Sequence, residues 1–148
     1  MTIHLISFAS ILHKQVSLRS SHEAILSEIE KYYTVKFVDH QDMDKLSSDD
    51  FKIIFVATGG VERLVIQHFE NLPRPAILLA DGMQNSLAAA LEISTWLRGR
   101  GMKSEILHGE LSAIILRIHT LYNNFQATFF VWQTYRSHWK SFFLVSCQ

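Results

Sequence analysis

The 148-residue chain is the usual length of one domain and can bury a real hydrophobic core. Hydrophobic residues make up 48% and charged residues 19%, which excludes a disordered chain, and 14 basic residues balance 14 acidic ones, so no net field draws it to nucleic acid or to an anionic membrane. The one cysteine, Cys147, excludes an internal disulfide and points to a reducing compartment, the cytoplasm by default, while no apolar run reaches the roughly 18 residues of a membrane span. Met1-Thr2-Ile3-His4-Leu5-Ile6-Ser7 carries no basic leader and too short an apolar stretch for a signal peptide, so it is expected to be part of the fold.

Residues 3–8 are a short apolar run ending in small polar residues and predict a first strand. From Ser20-Ser21 onward, Ala24, Ile25, Ile29 and Tyr32 recur at helical spacing, and Glu23 stands three residues after Ser20. That pattern predicts a capping box opening an amphipathic helix. Val35, Phe37 and Val38 predict a second strand. Residues 39–50 are a polar connection, with room for a short helix around 43–46.

Residues 51–57 are almost continuously apolar, as expected of a strand covered on both faces. Thr58-Gly59-Gly60 breaks the run, and a helix is expected to continue through Leu64, Val65, Gln67-His68-Phe69 and Leu72 until Pro73 and Pro75 end it. Residues 76–80 form another buried strand, and 81–85 a turn. Ser86 is placed to cap a helix carrying Leu87, Ala90, Leu91, Trp96 and Leu97, closed by Gly99 and Gly101. Residues 104–107 predict a last short strand, and Gly109-Glu110 the start of a terminal helix.

This alternation predicts an α/β fold: a doubly wound, five-stranded parallel sheet in the flavodoxin-like order 2-1-3-4-5 with a long C-terminal helical tail. The chain is expected to be a single domain over 1–148, with the sheet in 1–110 and the tail in 111–148. The tail holds no acidic residue. Ile118, Leu121, Phe125, Phe129, Trp132, Tyr135, Trp139 and Phe142 recur in it at intervals of three and four, one stripe of a helix. Such a stripe is expected either to fold back as core or to meet a second copy of the chain, with homodimerisation the expected outcome.

Ligands of doubly wound sheets bind beyond the carboxyl ends of the strands, where strand order reverses. The turns expected to converge there supply Ser7, Thr58, Gly59, Gly60, Glu62, Asp81, Asn85 and Ser86 as candidate ligand-binding residues, with His108-Gly109-Glu110 at the far edge. Paired glycines before a helix let N–H groups approach an anion. Thr58-Gly59-Gly60 nevertheless lacks the later glycines of a dinucleotide fingerprint and the lysine of a Walker loop. Glycines at such a turn more often serve backbone geometry. Asp81 resembles the acidic position of phosphotransfer receivers, but Ser7-Phe8-Ala9-Ser10 offers no acidic pair, so Asp81-Gly82 is expected to be a turn former. The eight histidines are dispersed without metal-ligand spacing and are expected on the surface or on helix faces. No catalytic unit and no metal site is expected.

Val56-Ala57-Thr58-Gly59-Gly60-Val61-Glu62, Leu72-Pro73-Arg74-Pro75-Ala76-Ile77-Leu78-Leu79, and the stretch from Asn85-Ser86-Leu87-Ala88-Ala89-Ala90-Leu91-Glu92-Ile93 through Trp96-Leu97-Arg98-Gly99-Arg100-Gly101 resemble the N-terminal domain of L-fucose/L-arabinose isomerase-like proteins. The resemblance covers about residues 1–110. Members of that family are aldose–ketose isomerases that use a divalent metal, typically manganese, held by carboxylates and a histidine of later domains. No acidic residue follows Glu110, so none of those ligands is carried onto this chain. The resemblance implies a catalytically incomplete domain that shapes a sugar pocket or an oligomer interface; the converging turns, for their part, predict that a small sugar or anion, if one binds, contacts Gly59, Gly60 and the Asn85-Ser86 turn. From about Phe125 the tail departs from the family, either as a truncated or out-of-frame end or as a true extension. The rival expectation is a freestanding flavodoxin-like module that binds a small molecule at the turns of 58–60 and 81–86.

Overall fold

The computed structural model describes residues 1–10 and 18–145, with side chains described for 1–10 and 19–133. His13 and Cys147 lie outside the described residues, as do the side chains of Tyr135, His138, Trp139 and Phe142. The chain divides into two compact units, Met1–Ile115 and Leu116–Gln148.

The first unit is built on five strands: β1 (Thr2–Phe8), β2 (Thr34–Asp39), β3 (Lys52–Val56), β4 (Ala76–Leu79) and β5 (Ser104–Leu107). All pairings are parallel, in the order β2-β1-β3-β4-β5. The chain therefore runs outward from β1 to β2, then crosses back to β3. The reversal between β1 and β3 is the switch point of the sheet. The expected flavodoxin-like α/β fold is the one observed.

The helices of this unit are α1 (Leu18–Ser21), α2 (Glu23–Glu30), α3 (Glu62–Gln67) and α4 (Ser86–Gly99), and a last helix, α5 (Leu111–Val145), starts in it. Because side chains alternate across a strand, Ile6, Phe8, Ile54, Val56, Leu78 and Ala80 face one layer. There they form one buried cluster with Val65 and with Ala89, Ala90, Ile93 and Leu97 of α4. Ile3, Leu5, Ile53 and Phe55 point the other way and are fully buried as well. His22, just before α2, packs edge-on against Phe55, which sets the start of α2 over this second face. Each large side chain so buried stabilises the fold by about 1.5–3 kcal/mol.

Three local expectations are corrected. Ser20 does not cap the amphipathic helix, because Ser20 and Ser21 already belong to α1; the chain kinks at His22 (φ −125°, ψ 25°), which is the N-cap of α2 without a side-chain cap bond. Nor does Ser86 cap α4. The N-cap is Asn85, held in the left-handed region (φ 63°), and Ser86 is the first helical residue. The helix expected to reach Leu72 ends at Gln67, and a 3-10 turn over Phe69–Asn71 follows. Leu72 must be extended to precede Pro73, and its ψ of 143° leaves no room for another helical turn. The connection after β2 is likewise a 3-10 helix, His40–Lys45.

In the second unit α5 runs on without interruption through Asn123-Asn124. Its 35 residues make a helix of about 52 Å at 1.5 Å per residue. Ile118 is buried and Leu121, Phe125 and Phe129 are half-buried, so the expected stripe is the better covered face as far as Phe129. Phe130 (75%), Val131 (63%) and Trp132 (57%) are exposed. Among the described residues no helix is long and apolar enough to cross a membrane.

Candidate functional site

The carboxyl ends of β1, β3 and β4 bring most of the expected site residues together. After β1, the Ser10 N–H donates to Thr58 Oγ1 at 2.8 Å, and the Thr58 hydroxyl donates onward to the Gly59 carbonyl at 3.0 Å. Thr58 is fully buried. It serves as a tie between the β1 and β3 turns, not as an open ligand contact.

The glycine pair is closed in the same way. Gly59 N–H donates to the Gln84 carbonyl at 2.8 Å, which joins the β3 turn to the β4 turn. Gly60 N–H donates to Glu62 Oε1 at 3.3 Å. Both N–H groups that an anion would need are thus already given to oxygens of the protein, one of them a carboxylate. The glycines are required for backbone reasons instead. Gly60 has φ +75°, and a Cβ on Gly59 would sit 3.1 Å from the Asn85 Cβ.

The β4 turn is organised around Asp81. Its Oδ1 accepts from the Met83 N–H at 3.0 Å and from the Ser86 hydroxyl at 3.4 Å, while Ser86 Oγ accepts from the Gly82 N–H at 3.0 Å. Asp81 Oδ2 lies 2.5 Å from His22 Nδ1. Gly82, Gln84 and Asn85 all have positive φ, at 84°, 50° and 63°. Two non-glycine residues in the left-handed region cost roughly 1–3 kcal/mol each, a cost that persists only where surrounding contacts fix the shape. Burial pushes the Asp81 carboxyl up, but hydrogen bonds from His22, the Met83 N–H and Ser86 outweigh it, and its pKa lies below the ordinary carboxylate value. At the far edge His108 Nδ1 donates to the Ala80 carbonyl at 2.7 Å, and its ring lies 3.1 Å from where a Gly82 Cβ would be.

Ser7 stands apart. It is paired with Phe55 in β3 and Asp39 in β2, and its buried hydroxyl has no partner among the described residues. It is not hydrogen-bonded to any other expected site residue.

The sequence reading missed four histidines, the first of them His4, which is buried in β1. His22 is 2% exposed, not a surface residue, and its Nε2 is buried without a partner among the described residues. On the opposite face His40 stacks on Phe8 with centroids 5.1 Å apart, and His68 meets both, 5.4 Å from His40 and 6.0 Å from Phe8. Spacing alone gives no sign of these contacts, which join residues up to 60 positions apart. They place two half-buried imidazoles beside the switch point.

The donor set does not fit a divalent metal. Asp81 is committed to three donors and Glu62 to Gly60, and among the described residues no group of three His, Cys, Asp or Glu side chains is placed to hold an ion. What the arrangement gathers at this end of the sheet is a carboxylate, hydroxyls and imidazoles, most of them bonded to one another. The three turns 7–10, 58–62 and 81–86 contain no lysine or arginine. No family model, curated protein or solved structure matches the chain.

Proposed function

We propose that this chain is a small-molecule binding domain whose ligand is neutral and hydroxyl-rich, a monosaccharide or related polyol, seated over the carboxyl ends of β1, β3 and β4. The observation that carries this reading is the closure of the glycine pair. With Gly59 N–H given to Gln84 and Gly60 N–H given to the Glu62 carboxylate, a phosphate meets no free donors there and one nearby negative charge. A polyol suits such a lining, because its hydroxyls donate to carboxylates and imidazoles as readily as they accept. The resemblance of residues 1–110 to the N-terminal domain of L-fucose/L-arabinose isomerase-like proteins supports a sugar within that class. As such a domain, the chain shapes a pocket without isomerising its ligand, because the metal ligands of that chemistry belong to other domains.

We also propose that α5 assembles with a second copy, which covers Phe130, Val131 and Trp132. The single cysteine supports residence in a reducing compartment such as the cytoplasm. Isothermal titration tests the ligand class: L-fucose or L-arabinose is expected to bind and inorganic phosphate is not. Phosphate binding without sugar binding overturns the reading.

A further inference from the structure

His22 sits against the β4 turn with only half of its ring in use. Its side chain is fully buried, and Nδ1 faces the Asp81 carboxylate at 2.5 Å. A carboxylate only accepts, so Nδ1 carries the proton; in the neutral form of the ring Nε2 then presents a lone pair. That lone pair is buried with no hydrogen-bond partner among the described residues. Ser7 Oγ is a second buried polar atom in the same condition.

The two belong to one layer. Ser7 and Phe55 are register partners on adjacent parallel strands, which lie about 4.8 Å apart. The His22 ring packs edge-on against that same Phe55, with centroids 4.9 Å apart. Unpaired buried polar atoms are rare because each forfeits its hydration, and two beside one aromatic ring call for a common explanation. The two atoms are also complementary in kind. One is a pure acceptor, the other a hydroxyl able to donate.

The geometry points to a hydroxyl subsite, in which one hydroxyl of the ligand donates its proton to His22 Nε2 and accepts from Ser7 Oγ, while Asp81 holds the imidazole in the accepting tautomer. This deepens the small-molecule reading above and rests on it. The chemistry selects its ligand. A phosphate or carboxylate oxygen would set a lone pair against the Nε2 lone pair. A deoxy analogue would leave both protein atoms unpaired, the situation in which polar sites discriminate most strongly.

The test uses the full chain with L-arabinose and L-fucose as probes. Long-range proton–nitrogen NMR reads the His22 ring nitrogens, backbone amides map the carboxyl ends of the strands, and Ser7→Ala is titrated beside the wild type. The free chain is expected to show the Nδ1-protonated tautomer. Sugar is expected to shift Nε2, and Ser7→Ala to weaken binding about tenfold, the scale of one net hydrogen bond. A sugar that moves the Gly59 and Asn85 amides but leaves Nε2 in place, with Ser7→Ala binding like the wild type, overturns the subsite and leaves the binding reading intact. A free chain protonated on Nε2 alone overturns the subsite too. No shift at any residue with either sugar overturns both. His22→Gln adds a check independent of tautomer: if it folds and binds sugar as tightly as the wild type, the subsite is wrong.

Discussion

His22 Nδ1 lies 2.5 Å from Asp81 Oδ2, so the residue that opens α2 is bound to the turn that closes β4, 59 positions along the chain. The His22 side chain is fully buried and that of Asp81 is 13% exposed, so the pair works in a shielded environment where removing one member strands the other.

Asp81→Asn is therefore expected to destabilise the fold by about 2 kcal/mol, the scale of hydrogen bonds to a charged group. The pH dependence has a definite sign. The folded-state pKa of Asp81 is lowered, so its contribution is fully present above the unfolded carboxylate value of about 3.9 and disappears as pH falls through the lowered value. Denaturant unfolding of wild type and Asp81→Asn at a series of pH values reads this directly. The gap between them is expected to hold at neutral pH and to narrow below about pH 4. A gap that stays constant to the acid limit contradicts the assignment.

The two glycines are expected to respond differently to alanine. At Gly59 the new Cβ would meet Asn85 Cβ at 3.1 Å and its Nδ2 at 3.2 Å. Asn85 is itself fixed in the left-handed region, so it cannot easily withdraw, and overpacking of about 1–3 kcal/mol is expected. At Gly60 the space is open but φ is +75°, and the cost is the backbone strain of about 1–2 kcal/mol. Gly60→Asn is expected to recover part of that loss, since asparagine tolerates this conformation, whereas Gly59→Asn is expected to be worse than Gly59→Ala. Melting temperatures of the four variants check the order. Equal behaviour of the two positions contradicts it.

The sheet was legible because strands buried on both faces leave continuous apolar runs, as at Ile53-Ile54-Phe55-Val56-Ala57 and Ala76-Ile77-Leu78-Leu79-Ala80, and because glycines and prolines bracket them. Strand order followed from the alternation of elements. The convergence of the turns at 58–60 and 81–86 followed from that order. The way those turns spend their hydrogen bonds did not. Ser86 has the composition of a helix cap, yet its hydroxyl bonds to Asp81 and Gly82, because Asn85 takes the cap position in a left-handed conformation that composition does not announce. His22 was equally hidden. Its partner and its burial both depend on where α2 lands over Phe55, a tertiary fact with no counterpart in local spacing.

For the terminal helix, Trp132→Glu is expected to dissociate a dimer while leaving the sheet unit folded. Trp132 is 57% exposed beside Phe130 and Val131, and a charge there would be buried by a second copy. Light scattering with far-ultraviolet circular dichroism reads both parts. A wild type that remains monomeric at high micromolar concentration contradicts the assembly.

The most direct test of the central claim is amide chemical-shift mapping of the wild-type chain with L-fucose, L-arabinose and inorganic phosphate in parallel. The account predicts sugar-dependent shifts at Gly59, Gly60, Asp81 and Asn85, and no saturable phosphate response at either glycine. Saturable phosphate shifts at Gly59 and Gly60, or sugar shifts confined to the opposite edge near Thr2, Lys52 and Ala76, would contradict it.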